Sequence, residues 1–98
     1  MNKSVMLSTD PEIMKQLGAT LRRWRKTRGL RVADVAEHTE LNPSTVVRAE
    51  AGQNPTLLTL VRLLRCYGAL GGLSQLVPEP PVSPVAAAEE ERKKKPRG

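Results

Sequence analysis

Apolar positions between residues 10 and 77 repeat at intervals of three and four, the period of a helix with one buried face. Asp10-Pro11 reads as an N-cap followed by a proline in the first turn. Ile13, Leu17, Leu21 and Trp24 then form one stripe, and Gly29 stops the helix. A short second helix is predicted over Val32–Thr39, with Val32, Val35 and Ala36 inward. Asn42-Pro43 repeats the cap-and-proline signature and opens a third helix, with Val46 and Ala49 inside and Gly52 at its end. Thr56 caps a fourth helix bearing Leu57, Leu60, Val61 and Leu64, which ends at Gly68. Leu70, Leu73 and Leu76 mark a short fifth helix, weakened by Gly71-Gly72. No window alternates as a half-buried strand does. The expected fold is all-α, four or five short helices joined by tight turns.

Composition divides the chain further. Five prolines, an acidic run and a basic run fall within residues 78–98, where few large apolar residues remain. Such a stretch cannot bury enough surface to offset its ordering entropy, so a Pro-rich linker and charged tail are predicted there. Ser83-Pro84, Ala86–Ala88 and the facing Glu89–Glu91 and Lys93–Lys95 give that tail partial helical character. Residues 1–9 read as a flexible arm, which leaves one domain over residues 10–77. A core of that size is near the lower limit for independent stability, and a dimer would help it.

Charge and chemistry narrow the function. The chain carries 16 Lys and Arg against 10 Asp and Glu, a net +6, which draws it to a polyanion. Aromatic residues make up only 2%, too few for the stacked platforms of single-strand binders. One cysteine supports neither an internal disulfide nor a thiolate metal site. No nucleophile–base pair, metal-ligand spacing or glycine-rich phosphate loop occurs, so no enzymatic activity, cofactor or metal is expected. His38 is a lone histidine, and Cys66 reads as a small packing residue. The apolar run Cys66–Val77 is too short to span a bilayer, and Asn2–Thr9 lacks a signal-peptide core. A cytoplasmic protein is expected.

The helices Val32–Thr39 and Pro43–Ala51 are joined only by Glu40-Leu41-Asn42, a brevity that forces a steep crossing. The segment Leu17-Gly18-Ala19-Thr20-Leu21-Arg22-Arg23-Trp24-Arg25-Lys26-Thr27-Arg28-Gly29-Leu30 resembles the first helix of the lambda-repressor/Cro-like (XRE-type) helix-turn-helix family. Asp34-Val35-Ala36-Glu37, Leu41-Asn42-Pro43-Ser44-Thr45-Val46-Val47-Arg48-Ala49-Glu50-Ala51-Gly52 and Asn54-Pro55-Thr56-Leu57 follow in register. The resemblance covers residues 16–77 and implies a five-helix DNA-binding domain that dimerises and regulates transcription. Three positions depart from the family pattern. Glu40 stands where the family has glycine, at a cost of roughly 1 kcal/mol if the residue is left-handed. Arg31 and Val32 replace a Ser/Thr cap and a glutamine that grip a phosphate. Pro43 opens the recognition helix with no hydrogen bond to offer.

Placed on that frame, the residues acquire expected roles. Residues 16–31 carry six bases and no acid, whereas residues 32–55 are net −3. The basic excess therefore sits where the DNA backbone would lie. Arg22, Arg28 and Arg31 are the candidate phosphate contacts, joined by Asn42, which also caps the third helix, and by Gln53 and Asn54 in the loop after it. Pro43, Ser44, Thr45 and Arg48 are the candidate base contacts, with Arg48 suited to guanine and Pro43 to a thymine methyl. The resemblance sets Arg25 opposite Glu50 as a structural ion pair. Leu70, Leu73, Leu76 and Val77 form an apolar edge assigned to a homodimer interface.

The expected function is a sequence-specific DNA-binding regulator, a repressor acting as a homodimer on a palindromic operator. The stretch Leu76-Val77-Pro78-Glu79-Pro80-Pro81-Val82-Ser83-Pro84 and the small size also resemble HipB-like antitoxins, which implies a kinase-like toxin as partner. The alternative is a helical interaction module that binds an acidic partner without reading DNA. No membrane association is expected.

Overall fold

The computed structural model describes residues 8–82 together with Val85 and Glu89. The arm over residues 1–7, and the tail-helix expectation apart from those two helical positions, lie outside the described residues. Among the described residues 8–82, five α-helices follow in order: α1 (Asp10–Thr27), α2 (Val32–Thr39), α3 (Pro43–Glu50), α4 (Leu57–Tyr67) and α5 (Leu73–Leu76), the last preceded by a 3₁₀ turn at Leu70–Gly72. The described residues contain no strand, and the fold is all-α. None of their helices is long and apolar enough to cross a membrane.

The helix boundaries show where local signals hold and where they shift. Thr9, not Asp10, caps α1, its hydroxyl accepting from the Glu12 amide at 3.4 Å. Asp10 instead joins Glu12 as an acidic residue in the first turn, favourable toward the helix dipole. Pro11 remains in that turn, where its missing N–H removes no helical bond. Thr56 does cap α4, accepting from the Thr59 amide at 3.1 Å. Asn42 supplies α3 only with its backbone carbonyl, which accepts from Thr45 and Val46; its side chain makes no cap bond. Glu40 ends α2 in the left-handed region at φ 60°.

The core is small and contiguous. Leu21 from α1, Val35 and Ala36 from α2, Val46 and Ala49 from α3, and Leu60, Leu63 and Tyr67 from α4 are all buried. Full burial of a side chain the size of Leu63 contributes about 1.5–3 kcal/mol. On α4 the buried row is Leu60, Leu63 and Tyr67, while Leu57 faces outward and Val61 and Leu64 are half-buried. Tyr67 is the largest fully buried side chain, and its hydroxyl has no hydrogen-bond partner. Burial pushes its phenol far above the ordinary tyrosine range.

Two glycines fix how α1 meets the end of α3. A Cβ added at Gly18 would stand 2.5 Å from the Glu50 carbonyl oxygen and 2.8 Å from that of Ala49. No larger residue lets the two backbones approach so closely. Gly52, just past α3, has φ +76° and would place a Cβ 2.7 Å from the Met14 carbonyl oxygen. This glycine-lined seam clamps α3 against α1 and so determines which face of α3 is left for solvent.

Candidate nucleic-acid interface

The seam is reinforced by one ion pair. The Arg25 Nε donates to Glu50 Oε2 at 2.6 Å and its Nη2 to Oε1 at 3.0 Å, a two-pronged arrangement between the ends of α1 and α3. The Nη1 group donates to the Leu30 carbonyl at 3.0 Å. Only 11% of the Arg25 side chain and 8% of the Glu50 side chain remain exposed. With the guanidinium and carboxylate both satisfied, α3 is held in a single orientation, and the loop after α1 is tied to the same point.

The turn between α2 and α3 is built from side chains as well as backbone. The buried Thr39 hydroxyl donates to the Val35 carbonyl at 2.6 Å and accepts from the Leu41 amide at 3.3 Å. Glu40 then turns the chain in its left-handed conformation, and Pro43 starts α3 two residues after Leu41. Because Val46 and Ala49 face the core, Pro43, Ser44, Val47 and Arg48 stand in solvent. Thr45 is half-buried beside Leu41.

A groove of about 410 Å³ runs along this helix, lined by Leu41, Thr45, Arg48, Gln53, Asn54, Pro55, Thr56 and Thr59. It brings together four of the sequence candidates, Thr45 and Arg48 from α3 and Gln53 and Asn54 from the loop after it. Asn54 holds a left-handed backbone at φ 44°, which turns that loop toward α4. The Arg48 Nε donates to the Ser44 carbonyl at 3.3 Å, so its guanidinium lies along the helix. Val47 was missed by sequence reasoning. It is 53% exposed between Ser44 and Arg48. The signal was available, since of the adjacent pair Val46-Val47 only one can share the inward face with Ala49.

The basic candidates differ in their surroundings. Arg22 is exposed on α1 and meets no carboxylate among the described residues. Arg31 is engaged: its amide donates to Asp34 Oδ2 at 2.8 Å, and its guanidinium reaches both Asp34 oxygens at 3.2 Å. Those bonds cap α2 and hold the Asp34 carboxyl below the usual carboxylate range. Arg31 is nevertheless largely exposed, with 82% of its side chain in solvent. Arg28 has a structural role beside the one expected of it. Its Nε donates to the Tyr67 carbonyl at 2.8 Å, and its guanidinium carbon sits 5.5 Å from the centre of the Trp24 ring. Arg28 thus ties the end of α1 to the end of α4, where a cation suits the helix dipole, while its terminal guanidinium nitrogens make no hydrogen bond within the described residues. Asn42, without a capping bond, is exposed.

The apolar edge near the end of the domain is open. Leu73 is half-buried, and Leu70, Leu76 and Val77 are exposed, the last at 78%.

No curated protein and no solved structure matches the chain. A family model described as a helix-turn-helix domain matches residues 16–76, more than half of the molecule, and takes in α1 through α5 almost entirely. The matched residues include the α2–turn–α3 unit and the Arg25–Glu50 pair that ties it to α1, and the chain belongs to the helix-turn-helix domain family.

Proposed function

We propose that this protein is a sequence-specific DNA-binding transcriptional regulator, a repressor that acts as a homodimer on a palindromic operator. The observation that carries the reading is the outer row of α3. Ser44, Val47 and Arg48 project from a helix that the Arg25–Glu50 pair and the Gly18 seam hold rigidly. Such a row is short enough to enter a major groove, with Arg48 for guanine and the Val47 and Pro43 side chains for thymine methyls. Thr45 and Ser44 add polar contacts. In this reading Arg22, Arg31, Asn42, Gln53 and Asn54 supply donors to the phosphates on either side of the row.

Dimerisation accounts for Leu70, Leu73, Leu76 and Val77. Their apolar edge is burial left unfinished within one chain, and a two-fold mate completes it while setting two α3 helices on successive grooves. Selection from a randomised duplex pool tests both parts together. The expected product is an inverted repeat with half-site centres one helical turn apart, about 10 base pairs, or a multiple of it. Binding should survive excess nonspecific competitor, and Leu76→Glu should leave a folded monomer with weakened operator affinity. An unenriched pool, or binding abolished by competitor alone, would reduce the protein to simple polyanion attraction.

A further inference from the structure

A second groove, of about 310 Å³, is lined by His38, Thr39, Glu40, Arg62, Arg65 and Cys66. It lies between the C-terminal turn of α2 and the outer side of α4. None of its lining residues belongs to the groove beside α3. Arg25, Arg28, Arg31 and Arg48 each donate to a partner within the chain. Arg62 and Arg65, one helical turn apart on α4, meet no carboxylate or carbonyl among the described residues. Two guanidiniums that form no ion pair among the described residues line a concave surface, across from His38 at the end of α2.

The geometry points to this groove as a docking site for an acidic segment of a partner protein, on a surface separate from the DNA-reading helix. Carboxylates three or four residues apart on a helical segment match the spacing of Arg62 and Arg65 and accept paired hydrogen bonds from each. Glu40 also lines the groove, so the fitting segment carries a lysine or arginine beside its acids. Glu40 also disfavours a continuous phosphate backbone, which offers no cation to meet it. The chain's own run of Glu89, Glu90 and Glu91 is a poor occupant: four bases follow at once, giving residues 89–95 a net +1, and Glu89 is exposed here.

The test uses the full chain and a capped twelve-residue helical peptide with glutamate pairs four apart and one terminal lysine. Cys66 is the only thiol of the chain and lines the groove, so its rate of reaction with a thiol reagent reports occupancy. The peptide is expected to slow that reaction in the wild type. Arg62→Gln with Arg65→Gln should weaken the peptide about fivefold, the sum of two exposed ion pairs. Arg23→Gln with Lys26→Gln removes equal charge from α1 and should weaken it less than twofold. Equal losses in the two double variants would overturn the assignment, because they would show general attraction to a basic protein. So would a loss of duplex DNA affinity in Arg62→Gln/Arg65→Gln matching the loss of peptide, which would make the groove a backbone contact. A gain of peptide affinity of about fivefold or more on replacing Glu89–Glu91 by glutamine would overturn the assignment by making the tail the occupant of the groove.

Discussion

Removing Arg25 should cost the domain more than half of its stability. Its guanidinium makes two bonds to Glu50 and one to the Leu30 carbonyl, and little of either charged side chain is exposed. Arg25→Met keeps much of the volume but strands the Glu50 carboxylate without its counter-charge, at a cost of about 3 kcal/mol. Glu50→Leu strands the guanidinium and should cost about as much. The double variant removes both charges together, so it should lose less than the sum of the two, with a coupling of about 2 kcal/mol. A domain of this size has a total stability of only about 5 kcal/mol. With a urea dependence near 1 kcal/mol per molar, each single change should therefore move the midpoint down by about 3 M. Urea titrations followed by circular dichroism on all four proteins form the cycle. Additive losses would refute the reasoning, since they would mean that the charges never sense one another.

Three further expectations rest on separate features. Gly18→Ala drives a methyl into the Glu50 and Ala49 carbonyls and should cost about 2 kcal/mol in the same titration, whereas a change below a few tenths would deny the close seam. Glu40→Gly relieves a left-handed non-glycine residue and should raise stability by roughly 1 kcal/mol, seen as a higher melting temperature; a lower one would show that the side chain contributes more than its backbone strain costs. Asp34→Asn removes a carboxyl whose folded pKa is lowered by the Arg31 side chain, so its small stabilising effect should be present near neutrality and vanish as acid protonates the wild-type group. A stability difference between wild type and Asp34→Asn that is constant across the acid range would contradict that linkage.

Helix identity was written locally, because caps, prolines and three–four spacings act within a few residues of themselves. Val35, Ala36, Val46 and Ala49 all face inward, as expected from the sequence, and Glu40 does take the left-handed conformation that the sequence leaves as a condition. What escaped was set by contacts between distant segments. Nothing near Gly18 announces that its neighbour is the carbonyl of Glu50, and nothing near Arg28 announces the Tyr67 carbonyl. Apart from Arg25, which the resemblance set against Glu50, the bases in residues 16–31 looked alike as a charge run, yet the fold gives Arg28 and Arg31 different partners and leaves Arg22 exposed. On α4 the inward row depended on which side meets α2, and Leu57 faced away. The proposed reading surface was the more legible part, because the inward pair Val46 and Ala49 determines what α3 shows. Val47 belongs to that row for the same reason.

The central claim is that α3 reads base sequence, and competition binding of Arg48→Ala on selected and scrambled duplexes tests it most directly. Losing a two-pronged guanine contact should cost about 1–3 kcal/mol on the selected site, and far less on scrambled DNA, where only phosphate contacts remain. The salt dependence should stay nearly unchanged, in contrast to Arg22→Ala, which should weaken both duplexes alike and lower the salt slope by about one. Equal losses on the two duplexes for Arg48→Ala, with a reduced salt slope, would make Arg48 a phosphate contact and contradict the claim that this helix reads sequence through it.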